Sequence, residues 1–438
     1  MTTSAQPPGT VSRPRSGRDV LRALRVRNFG LFWTGQLISG TGTWMQTVAI
    51  AWLVLQISRS PLTLATVTTL QFLPMLLFTL PAGALADRVN KRALLLGAQG
   101  LAMAQALALG ILVATGTPRV WQLAVLAITL GVSNAFNNPA QQAFVPEMVG
   151  PDLVPDAVAL NSAQFNTGRM VGSALGGVAV AYLGVAAVFF VNAASFALTL
   201  GALLAMRPGE LHAPTGRRPS RRGAIREGLR YAAGVPDVLF VLAALAVVGT
   251  LGFNWQVVAP LIARDVLSLG AVGFGALMGA FGAGALAAAL SLVALRGGSE
   301  RRIVIAAAVI AGVLVLLGWS HSYPLSIAAM AVGGAAATVF TTTSNTRLQQ
   351  LVPDRLRGRV MSVFVLLMGG STPVGTYLLG HVATLTSVPA AIIAFGVATG
   401  VGLAATLIYQ RLAERRRATA GPPEDPAAIT PPAVDTRT

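Results

Sequence analysis

The sequence predicts an all-α membrane protein with 12 transmembrane helices in two pseudo-symmetric six-helix bundles. Three observations lead there. Of 438 residues, 54% are hydrophobic and 11% charged, with a mean hydropathy of +0.67. A water-facing surface needs roughly 25% charged residues, so lipid must be the main solvent. Long apolar runs recur along the chain between short basic clusters, and one motif appears once in each half.

A bilayer core about 30 Å thick takes roughly 20 apolar residues in a helix. Such runs place α1 near 29–57, α2 near 62–86, α3 near 93–115, α4 near 120–145, α5 near 157–183 and α6 near 185–206. After an interruption come α7 near 237–262, α8 near 271–295, α9 near 303–320, α10 near 325–346, α11 near 360–386 and α12 near 388–409. The implied organisation is a tail at 1–27, a first bundle at 28–206, a central loop at 207–236, a second bundle at 237–409 and a tail at 410–438. The first 28 residues are polar and Arg-rich, and the apolar run behind them is too long for a signal core, so α1 is expected to remain a membrane helix.

Lys and Arg collect in cytoplasmic loops. With both termini inside, 28 of the 32 basic residues fall in inner segments and three, Arg59, Arg119 and Arg264, fall outside. The remaining one, Arg169, lies within α5. The expected location is the inner membrane of a bacterium, multi-pass, with both termini cytoplasmic; the use of Arg for 31 of the 32 bases fits a GC-rich bacterial genome. The loop after α4 carries Glu147, Asp152 and Asp156 and no base, but acidic residues weigh little in orientation. The net charge of +17 does not make a nucleic-acid binder, because the bases sit between apolar runs with no interleaved aromatics.

Gln142-Ala-Phe-Val-Pro-Glu147 follows α4 and Gln349-Gln-Leu-Val-Pro-Asp354 follows α10, at an offset of 207, which points to duplication. Two related bundles rocking about a central site is a transporter plan. In the central loop, Ala224 to Ala233 reads either as a basic amphipathic helix on the inner leaflet or as a solvated linker.

The chain has no cysteine, which removes disulfides, thiolate metal sites and cysteine nucleophiles. His212, His321 and His381 lack metal-ligand neighbours at helical spacing, so no metal and no cofactor are expected. No nucleophile–base pair and no Gly-Lys-Ser/Thr phosphate loop is visible, which argues against an enzyme and against direct use of ATP.

The α2–α3 loop reads Gly83-Ala-Leu-Ala-Asp87-Arg88-Val-Asn-Lys91-Arg92. Gly83 suits a close helix approach, Asp87 suits the positive end of a helix in the other half, and Arg88, Lys91 and Arg92 are expected in water. This loop resembles the G-x-x-x-D-R-x-x-[KR]-[KR] signature of the major facilitator superfamily, with Asn90 where a glycine is common. The resemblance implies a cytoplasmic gating latch in which Asp87 meets the start of α11, around Arg359 to Ser362.

In α5, Gly168-Arg169-Met-Val-Gly172-Ser173-Ala-Leu-Gly176-Gly177 is similar to the exporter signature G-x-x-x-G-P-x-x-G-G, with Ser173 in place of the proline. Gly168, Gly172 and Gly176 share one helix face, which allows tight packing. Together with α1, from Arg27-Asn-Phe through Ser39-Gly-Thr-Gly-Thr-Trp-Met-Gln46 to Ser60-Pro61, the resemblance narrows to bacterial siderophore and drug exporters of the enterobactin-exporter type, over residues 20–410. It implies a small-molecule substrate, export by alternating access, a proton as coupling ion and a monomer in the bilayer. A proton-coupled metabolite importer and a non-transporting sensor or scaffold are the other readings.

Arg169 lies twelve residues into α5, roughly 18 Å from the inner surface. A charge at that depth must face water, a partner or an anionic substrate; it acts either in substrate binding and coupling or as a hydrogen-bond hub. α1 carries a stripe of Gln36, Gly40, Thr43 and Thr47; α4 carries Asn134, Asn138 and Gln141; α7 carries Thr250 and Asn254 beside Trp255 and Gln256; α10 carries Thr341 to Asn345. In the family these four helices line the cavity. The substrate-binding candidates are therefore Gln36, Thr43, Asn134, Asn138, Arg169, Asn254, Trp255 and Gln256, with helix–helix hydrogen bonding as the alternative. Trp44 and Trp255 suit either an aromatic ligand or packing. Proton antiport calls for a buried carboxylate, yet Asp87, Glu147, Asp237 and Asp265 all fall near helix ends. His381 is either a titrating group or a buried structural histidine.

Overall fold

The computed structural model describes residues 21–86, 88–116, 118–212, 224–292 and 298–419. These form 12 long helices: α1 (Arg27–Ser58), α2 (Pro61–Ala86), α3 (Lys91–Ala114), α4 (Val120–Val149), α5 (Val154–Leu183), α6 (Val185–Leu204), α7 (Pro236–Val266), α8 (Ala271–Leu292), α9 (Glu300–Trp319), α10 (Tyr323–Leu351), α11 (Asp354–Leu385) and α12 (Val388–Thr419). Ten are long and apolar enough to cross a membrane on composition alone. The other two, α1 and α5, are long enough but carry the polar stripe and the Asn161–Arg169 stretch respectively.

The packing repeats with a period of six helices. In the first half α1 packs on α5 and α6, α3 on α4 and α6, and α2 on α4; in the second half α7 packs on α11 and α12, α9 on α10 and α12, and α8 on α10. The main contacts between halves, α5 with α8 and α2 with α11, are each other's image under the same shift. This is the two-bundle symmetry expected from the repeated motif. The first copy sits inside α4, which runs through Pro146 to Val149, whereas the second spans the junction from the end of α10 at Leu351 to the start of α11 at Asp354.

Side-chain contacts show that the starts of odd helices and the ends of even ones share one end of the molecule. Lys91 of α3 meets Glu147 of α4 at 2.8 Å, and Gln410 of α12 bonds Asp237 of α7 at 3.0 Å. This end holds the basic segments. The opposite end holds Arg59, Arg119 and Arg264, and there Trp121, Tyr182 and Trp319 stand exposed. Amphipathic rings at that level mark a membrane–water boundary. Between the ends, Leu101, Ile111, Val125, Leu198, Ile305 and Val332 point outward and exposed, as lipid requires and water would not tolerate.

The short connections have simple causes. α5 passes to α6 through Gly184 alone, whose φ of +84° is a conformation other residues adopt only under strain. α7, expected as one continuous helix, is broken: a π-helical turn at Val248–Gly252 leads into Phe253 and Asn254 outside the helix before Trp255–Leu261 resumes. The Asn254 amide repairs the break, donating to the carbonyls of Thr250 (2.8 Å) and Leu251 (3.3 Å) and accepting from Thr376 of α11 (3.0 Å). Backbone groups freed inside a bilayer must be satisfied within the protein.

The central loop contains a helix, Ala224–Gly234, and it docks on α11 rather than standing in solvent. Gly228 lies against the backbone of Arg359, where an added Cβ would sit 2.6 Å from the carbonyl oxygen. Tyr231 and Ala232 join the core, while Arg226, Leu229 and Arg230 remain exposed.

Candidate functional site

The seam between the halves is closed by glycines at the end carrying Arg264. In α5, Gly168, Gly172 and Gly176 face α1: an added Cβ would meet the Thr41 carbonyl oxygen at 2.3 Å from Gly172 and the Met45 Cα at 2.8 Å from Gly176. Gly177 points the other way, to α8, where a Cβ would lie 2.5 Å from the Ala271 carbonyl oxygen. The exporter-like motif therefore serves two interfaces, one within a half and one between halves. Helix α5 stays unbroken at Ser173, and the Ser173 hydroxyl is buried without a partner among the described residues.

α2 and α11 also meet tightly at that end, where a Cβ on Gly380 would fall 2.2 Å from the Ala65 Cβ. Arg264 of α7 completes the closure, donating to the Leu55 and Arg59 carbonyls at the end of α1 (3.2 and 3.1 Å) while paired with Asp265. The Leu55 carbonyl already accepts the capping N–H of Arg59 (3.1 Å), and both carbonyls lie at the negative end of the α1 dipole, so a guanidinium is well matched to them.

A Cβ on Gly83 would meet nothing within 4 Å among the described residues, so the close approach expected there is absent. The start of α11 is held by the linker helix, whose Glu227 pairs with Arg359. Asp87 lies outside the described residues. Of the three bases expected in water, only Arg88 is exposed. Lys91 is tied to Glu147 with side chains 11% and 13% exposed, and Arg92 donates to the carbonyls of Leu203 (2.8 Å) and Leu204 (3.0 Å) at the end of α6. A negative helix end and a neighbouring carboxylate offer these cations more than solvent does.

Arg169 sits further along α5 toward the basic end, inward of the Gly172, Gly176 and Gly177 contacts. Its guanidinium carbon lies 4.9 Å from the ring centre of Phe281 in α8, 5.6 Å from Phe165 in α5 and 5.9 Å from Trp44 in α1. Trp44 and Phe165 meet edge to face, and Phe281 continues the wall to Trp255 of α7, 5.0 Å away. Arg169 donates to Asn166 Oδ1 at 2.8 Å, while its Nε is buried with no acceptor among the described residues. Burying a charge costs several kcal/mol. Aromatic faces return roughly 0.5–2 kcal/mol each, and the Asn166 bond about 1.5–3 kcal/mol. The box makes the charge tolerable and leaves donor capacity unused. The described carboxylates all lie near helix ends or in the linker, so none neutralises it.

The other candidates divide. Gln36 is buried in a network across three helices, donating to Gln141 Oε1 (2.9 Å) and accepting from Gln99 (3.0 Å). Gln46, Gln105 and Asn192 form a second such network. Thr43 donates to the Ser39 carbonyl of its own helix, and Asn254 holds the α7 break. Asn134 and Asn138 are half-buried on α4, and neither has a partner among the described residues. Gln256 of α7 lines a small polar-edged cavity with Thr47 of α1 and Gln71 of α2, across the seam. Trp255 is buried and its indole N–H lacks an acceptor among the described residues. His381 is exposed and stacks on Tyr377, so it is not the buried histidine considered above. Phe165 and Phe281 were not legible as site residues; the one signal was Phe165 standing four residues before Arg169, on its helix face.

Two symmetric helical bundles closed at one end around a charged, aromatic-walled site define a membrane transporter. A family model described as transmembrane secretion effector matches residues 19–434, and the chain belongs to that family, within the major facilitator superfamily. The multidrug efflux pump Tap of Mycolicibacterium fortuitum is 28% identical over 380 residues, covering 82% of this chain and 90% of that one. The staphyloferrin A transporter of Staphylococcus aureus is 23% identical, covering 84% and 92%. Among solved structures, the nucleoside transporter NupG superposes with a TM-score of 0.68 at 13% identity, over 88% of this chain and 98% of that one. A bacterial homologue of the human lysosomal transporter Spinster, inward-facing and occupied, gives 0.67 at 14% identity, over 91% and 98%. These likenesses establish the fold alone.

Proposed function

We propose that this transporter exports a small, partly apolar molecule from a bacterial cell, working by alternating access in the inner membrane with both termini cytoplasmic. The observation that carries the reading is the seam. An exporter-type glycine face packs α5 against both α1 and α8, and the Arg169 box is shared by the two halves. With the basic end cytoplasmic, the closure at Arg264 and the lack of a close neighbour at Gly83 among the described residues fit an inward-facing state that receives substrate from inside. The relatives named as an efflux pump and a siderophore transporter support the substrate scale.

Proton antiport is the coupling proposed from the resemblance. Its carrier is not a mid-membrane carboxylate among the described residues, so the proton would be carried nearer a helix end or exchanged by the substrate itself. The test is expression in an efflux-deficient host, screened for accumulation of toxic compounds and siderophores with and without the proton gradient. Lower accumulation of at least one compound, reversed by collapsing the gradient, is the expected result. Unchanged accumulation throughout, with gradient-driven uptake of a nutrient, would replace export by import.

A further inference from the structure

We propose that the Arg169 box binds the carboxylate of a substrate whose body is aromatic, the anion bonding the guanidinium and the ring lying against Trp44, Phe165 and Phe281. This deepens the transport reading and rests on it. A guanidinium presents five N–H donors in a planar fork, and here one described acceptor, Asn166 Oδ1, meets them while Nε is buried and unbonded. The two oxygens of a carboxylate match such a fork with parallel charge-assisted bonds. No described acid reaches the box to do the same, and a cationic ligand would add a second positive charge beside the first.

The walls decide the rest of the ligand. Trp44 and Phe165 come from the first half, and Phe281, backed by Trp255, comes from the second. A flat apolar body fills that space by stacking or edge contact. Because the walls belong to different halves, such a ligand binds differently in each state of the seam, as a transported substrate must.

The test uses full-length protein in nanodiscs and equilibrium dialysis with three matched probes: 2-naphthoate, 2-naphthamide and 2-naphthylmethylammonium, with benzoate and acetate as smaller anions. Naphthoate is expected to bind roughly tenfold or more tighter than the amide, the ratio that charge-assisted bonds give. Arg169→Gln should erase that preference, and Arg169→Lys should keep part of it. Phe281→Leu should weaken naphthoate several-fold while leaving acetate unchanged, a test of the aromatic wall that does not depend on the Arg169 variants folding. Equal binding of the amide or the ammonium, a preference that survives Arg169→Gln, or no binding of any anion at millimolar concentration would overturn the proposal. The export reading fails separately. Arg169-dependent anion binding with inward transport would keep the site and discard export, whereas export of a neutral or cationic compound unaffected by Arg169→Gln would keep export and discard the site.

Discussion

Gly177 and Gly275 face each other across the two halves, so close that a Cβ on either would lie within 2.8 Å of the other's Cα. Neither backbone can give way without moving a helix, so this contact sets how nearly α5 and α8 approach. Gly177→Val or Gly275→Val should lower transport by roughly tenfold or more, since overpacking costs typically 1–3 kcal/mol in the closed state. Accumulation assays at matched membrane expression check this; full transport by both variants would show that the contact does not limit the cycle.

Arg264 clasps the end of α1 through the Leu55 and Arg59 carbonyls. The chain lacks cysteine, so single-cysteine labelling reads cleanly. Leu55→Cys, at a buried position, should react slowly with a membrane-impermeant maleimide on intact cells. Adding Arg264→Ala should raise that rate roughly tenfold, the scale of a lost charged hydrogen bond.

Lys91 and Glu147 form a mostly buried ion pair. Removing either partner leaves the other charge partly desolvated, a loss of about 2 kcal/mol between the values for exposed and buried pairs. Melting in detergent should fall for Lys91→Ala and for Glu147→Ala, and the double variant should lose less than the two together.

Asn254 supports the broken segment of α7. Asn254→Leu removes the side-chain donor to two part-buried carbonyls, of Thr250 and Leu251, and should destabilise the protein by about 1–3 kcal/mol, read as a lower melting temperature. An unchanged melt would mean that water or a shifted α7 satisfies them.

Most of the fold was legible because lipid leaves few choices. Apolar length located the helices, and the match between Gln142–Glu147 and Gln349–Asp354 revealed the shift by six helices that the packing obeys. The site was legible only in part. Arg169 stood out as a charge among apolar residues, but Phe165 and Phe281 look like ordinary core aromatics until α5 and α8 meet. Gln36 shows the opposite difficulty: a polar stripe reads alike whether it faces a cavity or a neighbouring helix, and a partner 63 residues away decides it. The bases after Gly83 were assigned to water because the ends of α4 and α6 cannot be placed beside α3 from spacing alone.

The most direct measurement is substrate movement in energised inside-out vesicles, comparing the native protein with Arg169→Gln. Uptake into vesicles carrying the native protein, driven by the imposed gradient and lost in the variant, is the expected result, since uptake there equals export from a cell. Gradient-driven release from the same vesicles, or equal uptake by the variant, would contradict the account.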